Sequence, residues 1–408
     1  MPRHDRRRIA LVGAGARAEM WLAAVVEHAE LVALADVNRA RMAAHNRRLA
    51  DLGSAPVPTY PADDFAAMLA KERVDAVIVS TVDATHDDYI VAALDAGCDV
   101  ITEKPMTTDE RRCHRVLAAA GRGPGSLTVT FNYRYNPVHE KVREVLASGA
   151  IGEVASVHFE WLLDVRHGAD YFRRWHRDKA NSGGLLVHKA SHHFDLVNWW
   201  LGAEPRTVFA VGQLAFYGPG HEHGYARDYV RAHGSNDALD DPFALQLAEN
   251  ATMRDLYLDA EGEDGYYRDR NVFGPGVSIE DDMAVLVSYD TGATMTYHLT
   301  AYAPFEGYRV MFNGSGGRLE LNVEESTFTS ITLRPLWSDP VDHTVDHDHE
   351  GHGGADPRVL AALLDGEQTE GAEVADARQA ALALVTGLAA NRSFETGLPV
   401  RTGDILKW

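Results

Sequence analysis

Short apolar runs separated by helix-like stretches characterise the N-terminal part of the chain. Four runs have the length of buried strands: Ile9–Val12, Leu31–Ala35, Val74–Ser80 and Asp99–Ile101. The stretch Glu19–His28 has the apolar spacing of a helix. Strands that alternate with helices in this way form parallel sheets, because a crossover helix carries the chain back before the next strand begins. The pattern therefore predicts an α/β fold with a parallel sheet.

Longer stretches of alternating polar and apolar residues follow after about residue 125. The candidate strands are Val154–Trp161, Met283–Tyr289, Ala293–Ala301 and Arg318–Leu321. Alternation is expected where one face of a sheet is buried and the other is not. The sequence Asp290-Thr291-Gly292 between two of these strands is typical of a hairpin turn. This part predicts a large, mostly antiparallel open sheet with helices on one face.

The two patterns divide the chain into two predicted domains. Residues 1–125 form the parallel α/β domain, and residues 126–408 form an α+β domain. A length of 408 residues suits two domains better than one. Residues 217–275 and 338–356 lack periodicity and are expected to be long loops. Residues 356–396 have helical periodicity, and we expect these helices to pack back on the first domain.

Composition and charge narrow the class of protein. The chain is 45% hydrophobic and carries a net charge of −21, which disfavours binding to nucleic acid. Its two cysteines, Cys98 and Cys113, form neither a disulfide framework nor a zinc-binding spacing. The N-terminus lacks the apolar segment of a signal peptide, and no apolar run is long enough to span a membrane. We therefore expect a cytoplasmic globular protein without membrane association.

A glycine-rich loop joins the first predicted strand to the first predicted helix. Gly13-Ala14-Gly15-Ala16-Arg17-Ala18 fits the G-x-G-x-x-G/A pattern of Rossmann domains, in which a dinucleotide pyrophosphate lies at a helix N-terminus. Asp36 follows roughly 20 residues beyond Gly15, at the end of the second strand, where a carboxylate binds the ribose hydroxyls and repels a 2′-phosphate. The loop therefore predicts NAD, while Arg39 leaves NADP as a minor alternative.

A series of further motifs follows in a characteristic order. They are Asp75–Thr81, His86, Ala96-Gly97, Glu103-Lys104-Pro105, Phe131–Pro137, Gly149, Ile151–Val154, Gly183-Gly184, His192 and Asp195. In this order and spacing they resemble the glucose–fructose oxidoreductase/inositol dehydrogenase (Gfo/Idh/MocA) family over most of the chain. The resemblance implies a Rossmann domain plus a second domain, a nicotinamide cofactor and a small-molecule sugar or glycoside as substrate. It also implies a homo-oligomer, a dimer or tetramer built through the open sheet.

The loop and the resemblance together specify the cofactor site. The candidate NAD-binding residues are Gly13, Gly15, Ala16, Arg17, Asp36, Asn38, Arg39, Thr81, His86, Glu103, Lys104 and Asn132.

Four residues are candidates for the chemistry. Lys104 matches the lysine that, in the family, reaches the reacting hydroxyl, and His192 matches the histidine that acts as general base or acid. His188 stands where the family usually has Asp, four residues before His192 in a helical stretch, Leu185–Asp195. We interpret His188 and its neighbour Lys189 as catalytic or substrate-binding residues. No acidic residue nearby completes a metal-ligand set with His188 and His192, so no metal is expected.

A second group of histidines, in a predicted loop, is interpreted as solvated. It comprises His343, His347, His349 and His352, of which His352 is also a candidate contact of the active site.

A cationic and aromatic segment precedes this helix in an otherwise acidic chain. It contains Arg166, His167, Tyr171, Arg173, Arg174, Trp175, His176, Arg177 and Lys179. Guanidinium groups recognise carboxylates, sulfonates and phosphates, and aromatic rings pack on sugar faces. We hypothesise that part of the segment binds an anionic sugar. The candidate substrate-binding residues are Tyr133, Arg134, Arg166, Tyr171, Arg174, Trp175, His176, His188 and His192.

Three functions remain open at this point. The first is an NAD-dependent dehydrogenase that oxidises a sugar or polyol hydroxyl. The second is a redox-neutral glycosidase that oxidises a ring hydroxyl, eliminates the aglycone, adds water and reduces the ketone again, for example on sulfoquinovosides or uronides. Such an enzyme needs an additional base near C2, for which His188, Lys189 and Tyr133 are candidates. The third, a non-catalytic NAD-binding regulator, is disfavoured because Lys104 and His192 are both present.

Overall fold

Two sheets organise the computed structural model of the protein. The structure describes residues 6–221, 223–225, 227–325, 327–345, 351–364 and 373–407. The side chains of residues 351–353 are outside this description, and so are His347 and His349.

The first sheet has seven strands in the order β15-β6-β5-β4-β1-β2-β3. The strands are β1 (Arg8–Val12), β2 (Glu30–Asp36), β3 (Thr59–Pro61), β4 (Ala76–Val79), β5 (Asp99–Thr102), β6 (Leu127–Val129) and β15 (Ala375–Asp376). All neighbouring pairs are parallel except β15–β6. The central strands are buried on both faces, which explains why they are continuous apolar runs.

Helices cover both faces of this sheet. They are α1 (Ala18–His28), α2 (Arg39–Asp51), α3 (Phe65–Lys71), α4 (His86–Asp95) and α5 (Glu110–Ala120). The alternation of strands and helices confirms the predicted α/β fold of this part. The sheet extends beyond the predicted boundary at residue 125, because the short strand β6 adds to β5 in parallel.

The second sheet has nine strands in the order β14-β13-β12-β11-β7-β10-β9-β8-β16. They are β7 (Val154–Asp164), β8 (Pro205–Gln213), β9 (Asp282–Tyr289), β10 (Thr294–Ala303), β11 (Gly307–Gly314), β12 (Gly317–Glu324), β13 (Phe328–Pro335), β14 (Val341–His343) and β16 (Val400–Arg401). Neighbours are antiparallel except β7 and β10. Burial alternates along β10, with one face packed on helices and the other open, as the polar/apolar alternation predicts.

The remaining helices pack on the inner face of the second sheet or return to the first domain. They are α6 (Pro137–Ala147), α7 (Val165–Arg173), α8 (Lys179–Ser182), α9 (Leu185–His188), α10 (Ser191–Leu201), α11 (Ala251–Met253), α12 (Glu261–Asp264), α13 (Gly351–Leu364), α14 (Ala377–Thr396) and α15 (Thr402–Ile405). The C-terminal helix α14 packs on β8 and α10 and also touches α5, while α13 lies against α1. None of the described helices combines the length and hydrophobicity needed to cross a bilayer.

The helix predicted over Leu185–Asp195 is interrupted, which is a correction to the sequence interpretation. Helix α9 ends at His188 and α10 begins at Ser191. The carbonyl oxygen of His188 accepts a hydrogen bond from Nζ of Lys104 at 3.0 Å. The N–H of His192 donates to the carbonyl of Lys189 and not to that of His188, so the carbonyl of His188 lies outside the helical ladder and is directed at Lys104.

Candidate active site

A cavity of about 530 Å³ lies between the two domains, at the carboxyl ends of β1, β2, β4 and β5. Ligands of open α/β sheets bind at this edge. From the predicted residues, the cavity is lined by Gly13, Gly15, Ala16, Arg17, Asp36, Thr81, His86, Glu103, Lys104, Asn132, Tyr171, Arg174, Trp175, His176, His188 and His192. Cofactor candidates and substrate candidates thus share one continuous space.

The glycine-rich loop forms the dinucleotide end of the cavity. Gly13 has φ +95°, and a Cβ there would lie 2.5 Å from the backbone of Ser80, so only glycine fits. Asp36 accepts hydrogen bonds from the backbone N–H groups of Ala14 at 2.6 Å and Asn38 at 2.7 Å. Burial raises the pKa of Asp36, and these two hydrogen bonds oppose that rise. A tight loop at the N-terminus of α1 beside a ribose-end carboxylate fits NAD.

Glu103 anchors the floor of the cavity. Its carboxylate accepts hydrogen bonds from Nε of Arg17 at 2.7 Å and from Nε1 of Trp21 at 2.9 Å. Burial alone would raise the pKa of Glu103, but the charge of Arg17 and these hydrogen bonds hold the pKa below its usual range. The next residues, Lys104 and Pro105, are joined by a cis peptide bond. The ring of buried His86 contacts the carbonyl oxygen of Pro105 at 2.9 Å, which fixes the loop that carries Lys104.

Lys104, His188 and Asp83 form a connected chain of polar groups. Nζ of Lys104 lies 3.2 Å from Nε2 of His188, and Nδ1 of His188 lies 2.5 Å from Oδ2 of Asp83. An amine that already donates to the carbonyl of His188 also donates to Nε2, so Nδ1 carries the ring proton and donates it to Asp83. The first domain thus supplies the carboxylate that the sequence lacks beside His188.

The buried setting shifts the protonation of this chain. Burial, together with the nearby charge of Lys189, lowers the pKa of Lys104 from 10.5 to about 7, although Asp83 opposes the shift. Burial and the charges of Lys104 and Arg174 hold the pKa of His188 well below its usual range. Lys104 therefore changes protonation near neutral pH, while His188 stays a neutral acceptor.

His192 lies on the same wall, on the first turn of α10. Its ring stacks on the ring of Tyr133, with centroids 4.6 Å apart. Behind Tyr133, Nζ of Lys189 donates to the tyrosine hydroxyl at 3.3 Å and lies 4.8 Å from the ring of Trp161. Lys189 and Tyr133 do not line the cavity. They support His192 from behind, so of the three residues suggested as a base near C2, His188 alone faces the cavity.

The cationic and aromatic segment contributes one wall of the cavity. Tyr171, Arg174, Trp175 and His176 line it, and the rings of Trp175 and His176 stack at 3.5 Å. Nε of Arg174 lies 3.1 Å from the carboxylate of Asp170, which also pairs with Arg173 and Arg268. Asp170 therefore divides its charge among three guanidinium groups, and Asp83 is a further carboxylate that interacts with Arg174.

Several predicted residues lie away from the cavity. Arg134 is buried and makes a bidentate ion pair with Asp195, with nitrogen–oxygen distances of 2.8 and 2.7 Å. Arg166 is exposed at the start of α7. Asn38 caps α2, and the side chain of Arg39 is exposed. These four residues are not among those that line the cavity.

The cavity also contains residues that the sequence interpretation missed. They are Val37, Arg41, Ser80, Val82, Asp83, Thr85, Tyr89, Thr130, Tyr257, Asp264 and Tyr266. Asp83 comes just after the motif Asp75–Thr81. That closeness to the motif is the sequence feature that could have identified Asp83 as a site residue. Tyr257, Asp264 and Tyr266 belong to the segment predicted as a loop, and no motif marks them.

Asp83, His176 and His188 bring three ligand-type atoms within 4.8 Å of one another. Two imidazoles and a carboxylate are a donor set that transition metals use. Lys104 and Arg174 both act on this group electrostatically, and their positive charges oppose a dication. The sequence interpretation foresaw no such group, because its three members come from separate elements.

Comparison with known proteins agrees with this architecture. Residues 7–131 match the family model "Oxidoreductase family, NAD-binding Rossmann fold", and residues 143–402 match "Oxidoreductase family, C-terminal alpha/beta domain". YteT of Bacillus subtilis (strain 168) is 38% identical over 373 residues, which cover 83% of each chain. Inositol 2-dehydrogenase of Acidothermus cellulolyticus is 30% identical over 213 residues, 50% of this chain and 56% of that protein.

Solved structures share the fold over nearly the whole chain. The WlbA dehydrogenase from Bordetella pertussis, in complex with NADH and UDP-GlcNAcA, superposes with a TM-score of 0.68 at 19% identity and covers 97% of this chain and 98% of its own. An oxidoreductase from Agrobacterium radiobacter, in complex with NAD+, L-tartaric acid and magnesium, gives 0.68 at 17% identity and covers 98% and 100%. With both family models matched in order, the chain belongs to the Gfo/Idh/MocA family of NAD-dependent oxidoreductases.

Proposed function

We propose that this protein transfers a hydride between NAD and a ring hydroxyl of a sugar or glycoside. The observation that carries the proposal is the meeting of Lys104, His188 and His192 at one end of a cavity whose other end is the glycine-rich loop. The relatives include inositol 2-dehydrogenases, which supports a polyhydroxylated substrate. When bound, NAD accepts the hydride, and the residues of the chain handle the proton and the position of the substrate.

Lys104 is the proposed general base. Its pKa of about 7 makes the neutral amine available at physiological pH, and a neutral amine can take the hydroxyl proton as the hydride leaves. Once protonated, the amine of Lys104 donates to the carbonyl oxygen and to Nε2 of neutral His188, and Asp83 holds the imidazole ring by accepting the Nδ1 proton. In this scheme Asp83 is a positioning residue, and His192, on the same cavity wall, orients the substrate.

Arg174 is the proposed anchor for a negatively charged substituent of the sugar. It shares Asp170 with two other arginines, so its guanidinium retains the capacity to bind a carboxylate or sulfonate. The neighbouring rings of Tyr171 and Trp175 offer apolar surface to a sugar face. A uronide or a sulfonated sugar matches both features.

A panel of neutral and anionic sugars tests the proposal. Each sugar is incubated with the enzyme and NAD, and NADH is followed by absorbance. We expect the anionic member of a matched pair to react with a lower KM, and Arg174→Gln to abolish that preference. Arg166→Gln, an exposed arginine outside the cavity, serves as the matched control. No NADH with any sugar and any glycoside would refute the dehydrogenase.

A redox-neutral glycosidase is the second candidate, and the position of His188 favours it. His188 faces the cavity, and its Nε2 lies 3.2 Å from the amine of Lys104. Elimination across C1–C2 after oxidation of a neighbouring hydroxyl needs such an additional base. The family usually carries an Asp at this position, so the substitution indicates a change in proton handling.

Aryl glycosides separate the two candidates. Release of the aglycone without accumulation of NADH supports the glycosidase, whereas stoichiometric NADH supports the dehydrogenase. Deuterium at C2 of the hydrolysed sugar formed in D2O adds a second readout, because elimination removes the C2 proton and the addition of water returns one from solvent.

We also propose that the open face of the second sheet forms a contact between subunits. Phe209 and Val211 on β8 and Leu286 on β9 are exposed there by 36%, 57% and 49%. Large apolar side chains grouped on one sheet face are typical of interfaces. Light scattering is expected to give a dimer or tetramer, and a monomer at micromolar concentration would contradict this.

A further inference from the structure

A segment of the second domain lies over the dinucleotide end of the cavity. Residues 254–266, the clasp segment, comprise a wide helical turn, Arg254–Leu258, and helix α12. Three of its side chains, Tyr257, Asp264 and Tyr266, line the same cavity as the glycine-rich loop. The second domain therefore contributes to the cofactor end as well as to the substrate end.

The hydroxyl of Tyr257 is hydrogen-bonded to a backbone amide of the glycine-rich loop, and amides of this loop bind the pyrophosphate in Rossmann domains. The backbone N–H of Ala16 donates to Oη of Tyr257 at 3.0 Å, and a Cβ on Gly15 would lie 3.7 Å from the same oxygen. A phosphate that accepts from this amide is within reach of the tyrosine hydroxyl, which can donate its own proton to it. Tyr257 is thus placed to add a side-chain donor to a backbone anion site.

Arg41 connects the clasp segment to the ribose end. Its Nη2 pairs with Asp264 at 2.7 Å, and its Nε donates to the carbonyl of Leu256 at 3.0 Å. Asp36 lies 3.9 Å from the same guanidinium. Two carboxylates around one cation leave a net negative charge, so the clasp segment reinforces the repulsion of a 2′-phosphate.

Further contacts close the clasp segment onto α2. The side chain of Asn38 donates to the carbonyl of Ala260 at 2.8 Å in a buried position. The N–H of Arg39 donates to Glu263 at 2.6 Å. On the substrate side, the hydroxyl of Tyr266 accepts from the N–H of Trp175 at 3.4 Å. A dinucleotide beneath these contacts has to break several of them to leave.

We propose that the clasp segment is a cofactor-binding element of the second domain, in which Tyr257 binds the pyrophosphate and closure onto α2 makes NAD exchange slow. In the proposed dehydrogenase, slow release of NADH would then limit turnover. The proposal rests on NAD binding and not on the identity of the sugar.

Release of NADH from the full chain tests this proposal. Protein loaded with NADH is mixed with a large excess of NAD, and the loss of NADH fluorescence gives the dissociation rate without any sugar present. We expect Tyr257→Phe, which keeps the ring against Arg41 and loses the hydroxyl, to release NADH about tenfold faster than the wild type, since a hydrogen bond to a charged group is lost.

Tyr267→Phe is the matched control. Tyr267 is the neighbour of Tyr266, but its ring packs on Arg231 and is not part of the cavity wall. We expect this variant to release NADH at the wild-type rate. Equal or slower release from Tyr257→Phe, or equal acceleration in both variants, would overturn the proposal. Asp264→Asn provides a second test, with tighter NADPH binding expected and unchanged NADPH binding counting against the role of the segment.

Discussion

At the residue scale, the environment of Lys104 determines when it can act. Its pKa of about 7 arises from burial and from the charge of Lys189, against the opposing effect of Asp83. Below this pH the amine is protonated and cannot accept the hydroxyl proton. We expect kcat/KM for oxidation to fall tenfold per pH unit below about 7 and to reach a plateau above it.

Substitution of Lys104 checks the assignment of that pH dependence. Lys104→Ala is expected to lower kcat by about 10²–10⁴-fold, the usual contribution of a general base. It is also expected to remove the acidic limb of the pH profile, which is the fall of kcat/KM below about pH 7. Lys179→Ala is the control, because Lys179 pairs with Glu280 outside the cavity and is expected to keep the wild-type profile. An unchanged profile in Lys104→Ala would assign the limb to another group.

Asp83 is expected to act through His188. Asp83→Asn replaces the charged acceptor of the Nδ1 proton by a neutral amide oxygen and removes the negative charge that raises the pKa of Lys104. We predict a drop in kcat of about 10²-fold with little change in KM, and an acidic limb displaced to lower pH. The pH profile distinguishes this from a purely structural effect, which would not move the limb.

The donor set Asp83, His176 and His188 can be tested by chelation. Because Lys104 and Arg174 act on this group with positive charge, we expect EDTA dialysis to leave turnover unchanged and elemental analysis to find no bound transition metal. Activity that falls on dialysis and returns with Zn²⁺ or Mn²⁺ would instead establish a metal site.

At the scale of elements, the interruption between α9 and α10 is what creates the catalytic geometry. A continuous helix would commit the carbonyl of His188 to its own ladder, and the break leaves it for Lys104. His188 and His192 still share a cavity wall, but through a turn rather than through regular helical spacing. The sequence contained no proline or glycine at this break, so local signals could not reveal it.

The buried pair Arg134–Asp195 ties α10 to the turn that follows β6. Both side chains are almost fully buried, at 2% and 1% exposure. Removing one partner leaves an uncompensated buried charge, so Asp195→Ala is expected to lower the free energy of unfolding by about 3–5 kcal/mol. The exposed pair Arg122–Asp95 is the control, where Asp95→Ala should cost no more than about 1 kcal/mol. Denaturant titration measures both values, and equal losses would contradict the burial argument.

At the scale of the whole molecule, the cavity is a joint product of both domains. The first domain contributes the glycine-rich loop, Asp36 and Lys104, and the second contributes His188, Arg174 and Tyr257. A ligand that binds this cavity stabilises the folded state of the whole chain.

Thermal unfolding with NAD tests the joint cavity. At a concentration about 100 times its Kd, NAD is expected to add about 2.7 kcal/mol to the free energy of unfolding and to shift one cooperative transition. NADP at the same concentration should have little effect, because Asp36 and Asp264 face the ribose end. Equal stabilisation by NADP, or a shift confined to one of two separate transitions, would contradict this arrangement.

Local patterns were enough to predict the two-sheet fold, the glycine-rich loop and Asp36, and the family resemblance added Lys104 and His192. Hydrophobic periodicity and glycine spacing depend on neighbouring residues along the chain, and these signals survive without knowledge of the fold. Such local signals do not distinguish the two roles open to Arg134. An arginine in this motif can face a substrate, as predicted, or pair with the distant Asp195, as the structure shows.

Only the tertiary structure joined Asp83 to His188, across 105 positions of sequence, and Tyr257 to Ala16, across 241. Neither pair has a sequence signature, since each contact depends on how the second domain packs against the first. The amino-acid sequence by itself predicted NAD binding through the glycine-rich loop and Asp36, and the family resemblance added Lys104. Long-range packing decided which groups tune the pKa of Lys104 and which residues of the second domain lie against the glycine-rich loop, because burial and charge act through space rather than along the chain.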